Sequence, residues 1–272
     1  MGLIGTAVGL GIVLGPVIGG LLTGDSGSVK VPCIFAGFMS VLAITVAGLF
    51  LPESVTAERR AANQAQHRSG HRVSTWDMLK RSGNRLLAVQ YVLHTACVSS
   101  ITYIFPLWVG DELGWGAREV GIVFGFQGAI MVVLQGIVLG PVATWLGEWR
   151  FLRTAIGFML LGLSLAVFAS GMPWMVASVI IAMSGATLCM PLLNAITSHR
   201  TPQEFRGRML GTTASAASWG RVVGPLLAGA NLARFGYSAA WLGCVVIVLV
   251  YLVWALRAGR GNTAAIDQPG MV

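Results

Sequence analysis

No acidic side chain lies in the middle of any long apolar run of this chain. All ten Asp and Glu residues fall in connecting segments, at run ends or in the terminal stretch, among them Glu53, Asp77, Asp111, Glu148 and Glu204. Charge of either sign is scarce: 10% of residues are charged, where a soluble domain carries about 25%. That shortage excludes a water-solvated globular domain. Cysteine is sparse as well. Cys33, Cys97, Cys189 and Cys244 all sit in apolar runs and have no metal-ligand spacing, so they read as small buried hydrophobes. No glycine-rich phosphate loop is present, which argues against a nucleotide-driven pump. No nucleophile–base pair or metal-ligating cluster marks an enzyme, and neither a cofactor nor a metal is expected. The first run lacks a basic leader and a small-x-small cleavage site, so it does not read as a signal peptide.

What the chain does have is apolar length. A hydrocarbon core needs roughly 20 apolar residues per crossing, and eight segments satisfy this: about 2–23, 31–51, 86–109, 119–141, 152–170, 173–195, 209–232 and 237–256. Lipid offers no partner to an open backbone, so these spans are expected to be helices. They are too long for barrel strands and do not alternate apolar with polar. Away from the span ends the single charge is Arg221.

Basic residues set an expected orientation, because short loops rich in Lys and Arg stay in the cytoplasm. Of the eighteen Lys and Arg residues, fourteen fall on one side, in 52–85, 142–151 with Arg153, 196–208 and the tail, against three on the other, Lys30, Arg118 and Arg234. Both termini and the 52–85 linker are therefore expected in the cytoplasm, with the protein multi-pass in the cell membrane. The formal charge of +8 then reflects topology, and no nucleic-acid partner is expected. Between Ala57 and Gly70 the linker has few apolar residues and reads as a solvated tether. Trp76–Lys80 also fits a short helix on the membrane surface.

One pattern occurs twice. Gly11-Ile-Val-Leu-Gly15-Pro16-Val-Ile-Gly19-Gly20 returns as Gly220-Arg-Val-Val-Gly224-Pro225-Leu-Leu-Ala228-Gly229. In a membrane helix such spacing lets a neighbouring backbone approach closely, and the proline bends the helix. The repeat, together with two spans separated from six by a long basic linker, resembles the major facilitator superfamily, in which two six-helix halves flank a central substrate site. Ordered local likenesses narrow the resemblance to drug/proton antiporters of the tetracycline efflux group. Gly11, Gly15, Pro16, Gly19 and Gly20 resemble the antiporter motif of the fifth helix, and Leu51-Pro52-Glu53-Ser54 the end of the sixth. Leu107-Trp108-Val109 with Gly114-Trp115 and Val120-Gly121 resembles the seventh-to-eighth turn. Gly140-Pro141-Val142-Ala143 through Leu146-Gly147-Glu148 and Arg150 resembles the eighth-to-ninth loop.

The resemblance implies a partial major facilitator fold, an all-α membrane protein whose eight transmembrane helices correspond to helices five to twelve of an N-terminally truncated carrier. Residues 1–51 would be the last two helices of the N-terminal half, 52–85 the linker, 86–256 the six-helix C-terminal half and 257–272 the tail. The implied function is proton-coupled efflux of drug-like small molecules in the full-length form, with protons as coupling ion and membrane lipid as surroundings. The alternative is a membrane remnant that transports nothing or acts by association. Two departures weigh against tetracycline itself: the group's His of helix eight and Asp of helix nine fall at Met131 and Met159. The Asp of its cytoplasmic loop motif is replaced by Thr144.

Candidate substrate-binding residues are the polar ones inside the spans. Gln90, His94 and Cys97 form an i, i+4, i+7 stripe, Gln127 and Gln135 share roughly one face of the next span, and Asn194, Trp219 and Arg221 follow. A cavity lined with amides and aromatics suits a lipophilic ligand carrying a few polar groups. Inter-helix hydrogen bonding accounts for the amides equally well. A charge in mid-span faces a bundle interior or a water-filled cavity, which singles out Arg221 for an anionic group or an acidic partner.

Overall fold

A computed structural model describes residues 2–24, 28–50, 82–169 and 171–258. The Leu51–Ser54 motif, the linker up to residue 81 with its Trp76–Lys80 segment, and the tail beyond 258 lie outside the described residues. Among the described residues every regular element is helical. In chain order they are α1 (Gly2–Thr23), α2 (Lys30–Phe50), α3 (Ser82–Leu113), α4 (Ala117–Val133), a π-helical segment (Leu134–Val138), α5 (Leu139–Leu146), α6 (Glu148–Val167), α7 (Met172–Arg200), a 3-10 turn (Gln203–Phe205) and α8 (Arg206–Ala258).

Among the described residues six helices are long and apolar enough to cross a membrane. The expected count of eight is not confirmed by this count, for two reasons. Expected spans 209–232 and 237–256 lie inside the single element α8, which changes direction at Gly236 (φ 80°). Of α1, Leu14–Thr23 counts only as a shorter apolar helix. Helices also run past their expected ends. Once the apolar stretch is out of lipid, the polar residues that follow remain in the helix. The expected 142–151 loop therefore shrinks to Gly147, whose φ of 78° stops α5 while its carbonyl accepts the Phe151 N–H of α6 at 3.0 Å. A left-handed φ of this kind favours glycine. The π-helical segment precedes Pro141 by three residues. Proline has no N–H and crowds the carbonyl four residues back, and a wider turn relieves that crowding.

Lipid tails are as apolar as leucine, so helices in a membrane associate by close packing. Small residues provide it at three seams. Along α3–α8, a Cβ at Gly220 would run into Val92 and Thr95, and one at Gly224 would lie 2.7 Å from Ser99 Oγ and closer still to the Ala96 carbonyl. Along α6–α7, a Cβ at Gly185 would lie 2.6 Å from Met159 N, and Gly162 meets the Ser178–Ala182 backbone. Along α1–α4, Gly20 and Gly121 face each other, with a Cβ at Gly121 only 2.6 Å from the Pro16 carbonyl. The core lies where α3, α6, α7 and α8 meet, around the fully buried Ile101, Leu152, Met159, Leu193, Trp241 and Tyr251. By contrast α2 buries no side chain.

The first glycine ladder does not make the close approach expected of it. A Cβ at Gly11, Gly15 or Gly19 would meet nothing within 4 Å. The close approach in α1 is one step round the helix, at Gly20, because successive residues turn by about 100°. At the expected cytoplasmic face, α6, α7 and α8 are tied by polar and aromatic contacts. Arg153 Nε donates to the Ala255 carbonyl (3.1 Å), His199 Nδ1 lies 3.4 Å from Glu148 Oε1, and the Arg200 guanidinium sits 4.7 Å over the Trp149 ring. At the opposite end, Tyr237 Oη donates to Asp111 Oδ2, joining α8 to α3.

The two copies of the pattern predict opposite responses to one substitution. Gly224→Leu is expected to force α3 and α8 apart and to destabilise the chain by about 1–3 kcal/mol or more, as overpacking does. Gly15→Leu, with open space around it, should change stability by less than about 0.5 kcal/mol. Thermal unfolding of the detergent-solubilised chain, followed by size-exclusion chromatography, separates the two. Equal melting temperatures for both variants would contradict the packing described.

Candidate functional site

The α3–α8 seam that brings Gly220 against Val92 and Thr95 also fixes which way the next residue faces. Arg221 lines a cavity of about 620 Å³ built from α3, α4, the π-helical segment, α7 and α8. Pockets of roughly 300–1,000 Å³ accommodate drug-sized ligands. The walls carry His94, Thr95, Ser99 and Thr102 from α3, Met131 from α4, Gln135 from the π turn, and Met183, Thr187, Met190 and Asn194 from α7. A second cavity of about 570 Å³ lies alongside, lined by Tyr91, Ser198, Thr213 and Ser218 among others. Met190, Asn194 and Arg221 line both.

Of the seven residues expected to bind substrate, the structure brings four to the first cavity: His94, Gln135, Asn194 and Arg221. The other three lie elsewhere. Gln90 and Gln127 are buried off the cavity, and Trp219 is 69% exposed, lining neither cavity. The physical reason is azimuth: Trp219 and Arg221 are two residues apart, about 200° round the helix, so a site facing one cannot face the other. Cys97 is fully buried in the core. Of the two positions that the resemblance aligns with the efflux group's His and Asp, Met131 lines the cavity, while Met159 is a core residue with no exposure.

Most hydroxyls in the wall are occupied locally. Thr95 Oγ1 donates to the Tyr91 carbonyl (2.6 Å) or, across the seam, to that of Ala217 (2.9 Å), and Ser99 Oγ to that of Thr95 (2.7 Å). Gln135 Nε2 donates to the Thr187 carbonyl at 3.1 Å, tying the π turn to α7. Tyr91 Oη donates to Asn194 Oδ1 (2.8 Å) and lies 3.2 Å from Thr197 Oγ1. With its own proton committed to Asn194, Tyr91 accepts from Thr197. The bond from Tyr91 occupies one lone pair of the Asn194 oxygen. His94 is buried with Nδ1 unpartnered, and its ring meets Tyr251 edge-on at 6.1 Å. Arg221 has no hydrogen-bond or ion-pair partner among the described residues.

Sequence reasoning missed the hydroxyl stripe. Tyr91, Thr95, Ser99 and Thr102 recur at i, i+4, i+8 and i+11, the repeat of one helix face. That stripe, one residue on from Gln90 and His94, is the signal that would have found the wall. The Tyr91–Asn194–Thr197 connection is predicted to hold α3 to α7. A double-mutant cycle of Tyr91→Phe and Thr197→Val, read by unfolding in mixed micelles, should give a coupling of about 0.6 kcal/mol, the average for such bonds in membranes. Zero coupling would mean that the bond contributes nothing to the packing.

Comparison with known proteins gives the following. A family model described as Major Facilitator Superfamily matches residues 1–216 and 155–268. The class G tetracycline resistance protein of Vibrio anguillarum is 28% identical over 257 residues, covering 93% of this chain and 63% of its own length. The class C tetracycline resistance protein of Escherichia coli is 27% identical over 279 residues, covering 97% of this chain and 66% of its own length. The chain thus spans somewhat under two thirds of the length of these curated relatives. The crystal structure of the human organic anion transporter MFSD10 superposes with a TM-score of 0.70 at 20% identity, over 93% of this chain and 62% of that one, a likeness of fold.

Proposed function

Because the chain belongs to the Major Facilitator Superfamily, we propose that it serves efflux of drug-like small molecules by proton antiport in the full-length form of the carrier. The observation that supports this most is the cavity. In a chain similar to tetracycline resistance proteins over 93% of its length, four polar side chains from four separate elements converge on one drug-sized space between α3, α7 and α8. Convergence of that kind is what a carrier needs if one half is to rock against the other around a fixed site. A carrier, rather than an enzyme, is the coarser statement that the family supports. A remnant without a transport role is not favoured by likeness to carriers along nearly the whole chain.

The His94, Gln135, Asn194 and Arg221 side chains would contact substrate, with Met131, Met183 and Met190 supplying adaptable apolar walls. Gly11, Gly15, Pro16, Gly19 and Gly20 would form the antiporter motif. Within it Gly20 and Pro16 make the contact with α4. Expression of the full-length form in a drug-sensitive host is expected to lower accumulation of substrate dyes several-fold, and a protonophore should restore accumulation. Accumulation that is unchanged by expression, or export that persists after the proton gradient is collapsed, would refute proton-coupled efflux.

The charge asymmetry across the spans supports placing both termini and the 52–85 segment in the cytoplasm of a cell-membrane protein. With the exposed Cys33 replaced, a cysteine at Ser69 should react with an impermeant maleimide only after the membrane is opened. A cysteine at Gly110 should react in intact cells. The reverse pattern would invert the topology.

A further inference from the structure

The lining of the two cavities is unbalanced in charge and in hydrogen-bond character. Arg221 stands in mid-span and lines both cavities, and among the described residues no Asp or Glu lines either. A cation at that depth is costly unless it faces a polar cavity or a counter-charge. Among the described residues it has no ion-pair or hydrogen-bond partner. Its guanidinium is a planar fork of donors matched to the two oxygens of a carboxylate or sulfonate. Asn194, which also lines both cavities, accepts from Tyr91 Oη through Oδ1. Its Nδ2 group is left as a second donor beside the same space. The hydroxyl protons of Thr95, Ser99 and Thr102 are committed to backbone carbonyls. Arg221 is the charged donor of the lining, and the Asn194 amide lines both cavities with it. Around them the first cavity is apolar, with Met131, Met183 and Met190 in its wall.

We propose that this cavity takes amphipathic organic anions, with the acidic group on Arg221 and Asn194 Nδ2 and an apolar body of drug size among Met131, Met183 and Met190. The proposal rests on the reading of the chain as part of a small-molecule carrier. Cations of the same size and shape are disfavoured, because the lining offers them no carboxylate and places a like charge in their path.

The test uses two dyes that share a xanthene ring system, the anion fluorescein and the cation rhodamine 123. Their binding to the complete chain in phosphatidylcholine nanodiscs is measured by fluorescence anisotropy. Fluorescein is expected to bind at least tenfold more tightly than rhodamine 123. Arg221→Gln should remove that advantage, and an unchanged size-exclusion profile and melting temperature report that the variant is folded. Arg221→Lys keeps the charge but loses the fork and should retain part of the advantage, and Arg221→Glu should reverse the order. Thr102→Trp, which fills the cavity from an exposed wall position, should weaken both dyes. Rhodamine 123 bound as tightly as fluorescein and displaced by Thr102→Trp would overturn the anion assignment alone and leave the carrier reading intact. The same holds if fluorescein binding is indifferent to Arg221→Gln. Failure of both dyes to bind, or binding unaffected by Thr102→Trp, would overturn the cavity reading and this proposal with it.

Discussion

Everything in the site depends on how closely α8 lies against α3. In a membrane no hydrophobic force pulls helices together, so backbone proximity through small residues supplies the packing. Gly220 and Gly224 bring α8 onto the Val92–Ser99 stretch of α3 at a distance that any Cβ would prevent. A helix held this way cannot rotate freely, and its remaining faces are fixed with it. Arg221, one residue past Gly220, is thereby placed in the cavity, and Trp219, one residue before it, is left 69% exposed outside it. Gly220, a packing residue, gives the neighbouring charge its direction.

The internal repeat shows that the same pattern is used in two ways. In α8 the first two glycines of the pattern, Gly220 and Gly224, carry the contact, whereas in α1 their counterparts Gly11 and Gly15 face open space and the contact moves to Gly20. Gly20 meets Gly121 on α4, and Gly125 on the same helix receives Val17. Small-residue spacing therefore specifies that a helix can be approached closely. Which stripe is approached is decided by the helix that comes to it. Gly229, the counterpart of Gly20, has a further contact with Tyr103 on α3, with an ordinary separation of 3.4 Å from a virtual Cβ to its hydroxyl.

Inside the bundle, polar side chains divide into those that hold the wall and those that are left to act from it. The hydroxyls of Thr95 and Ser99 are turned back on the backbone. Gln135 gives one amide hydrogen to the Thr187 carbonyl, where the π turn brings it to α7. Buried polar groups without partners are costly, and this local self-satisfaction lets a polar stripe cross an apolar region. The amide oxygen of Asn194 is held by Tyr91. Arg221, with no such partner among the described residues, is the group whose charge remains uncompensated in the lining.

Composition and run length by themselves determined that this is a helical membrane protein, because lipid leaves the backbone no alternative to internal hydrogen bonding. The ordered motifs carried the family, and the mid-span position of Arg221 was enough to mark it. Helix ends were less legible: the hydrophobic pattern reports where lipid stops, whereas α5, α6 and α7 continue into polar residues until Gly147 or Thr201 ends them. Membership of the site was legible only in part. Gln90, Gln127 and Trp219 are as polar or aromatic in sequence as the residues that line the cavity, and periodicity alone does not say which stripe of α3, α4 or α8 faces inward. That choice belongs to the tertiary structure, because the rotation of each helix is set by where its smallest residues meet another backbone.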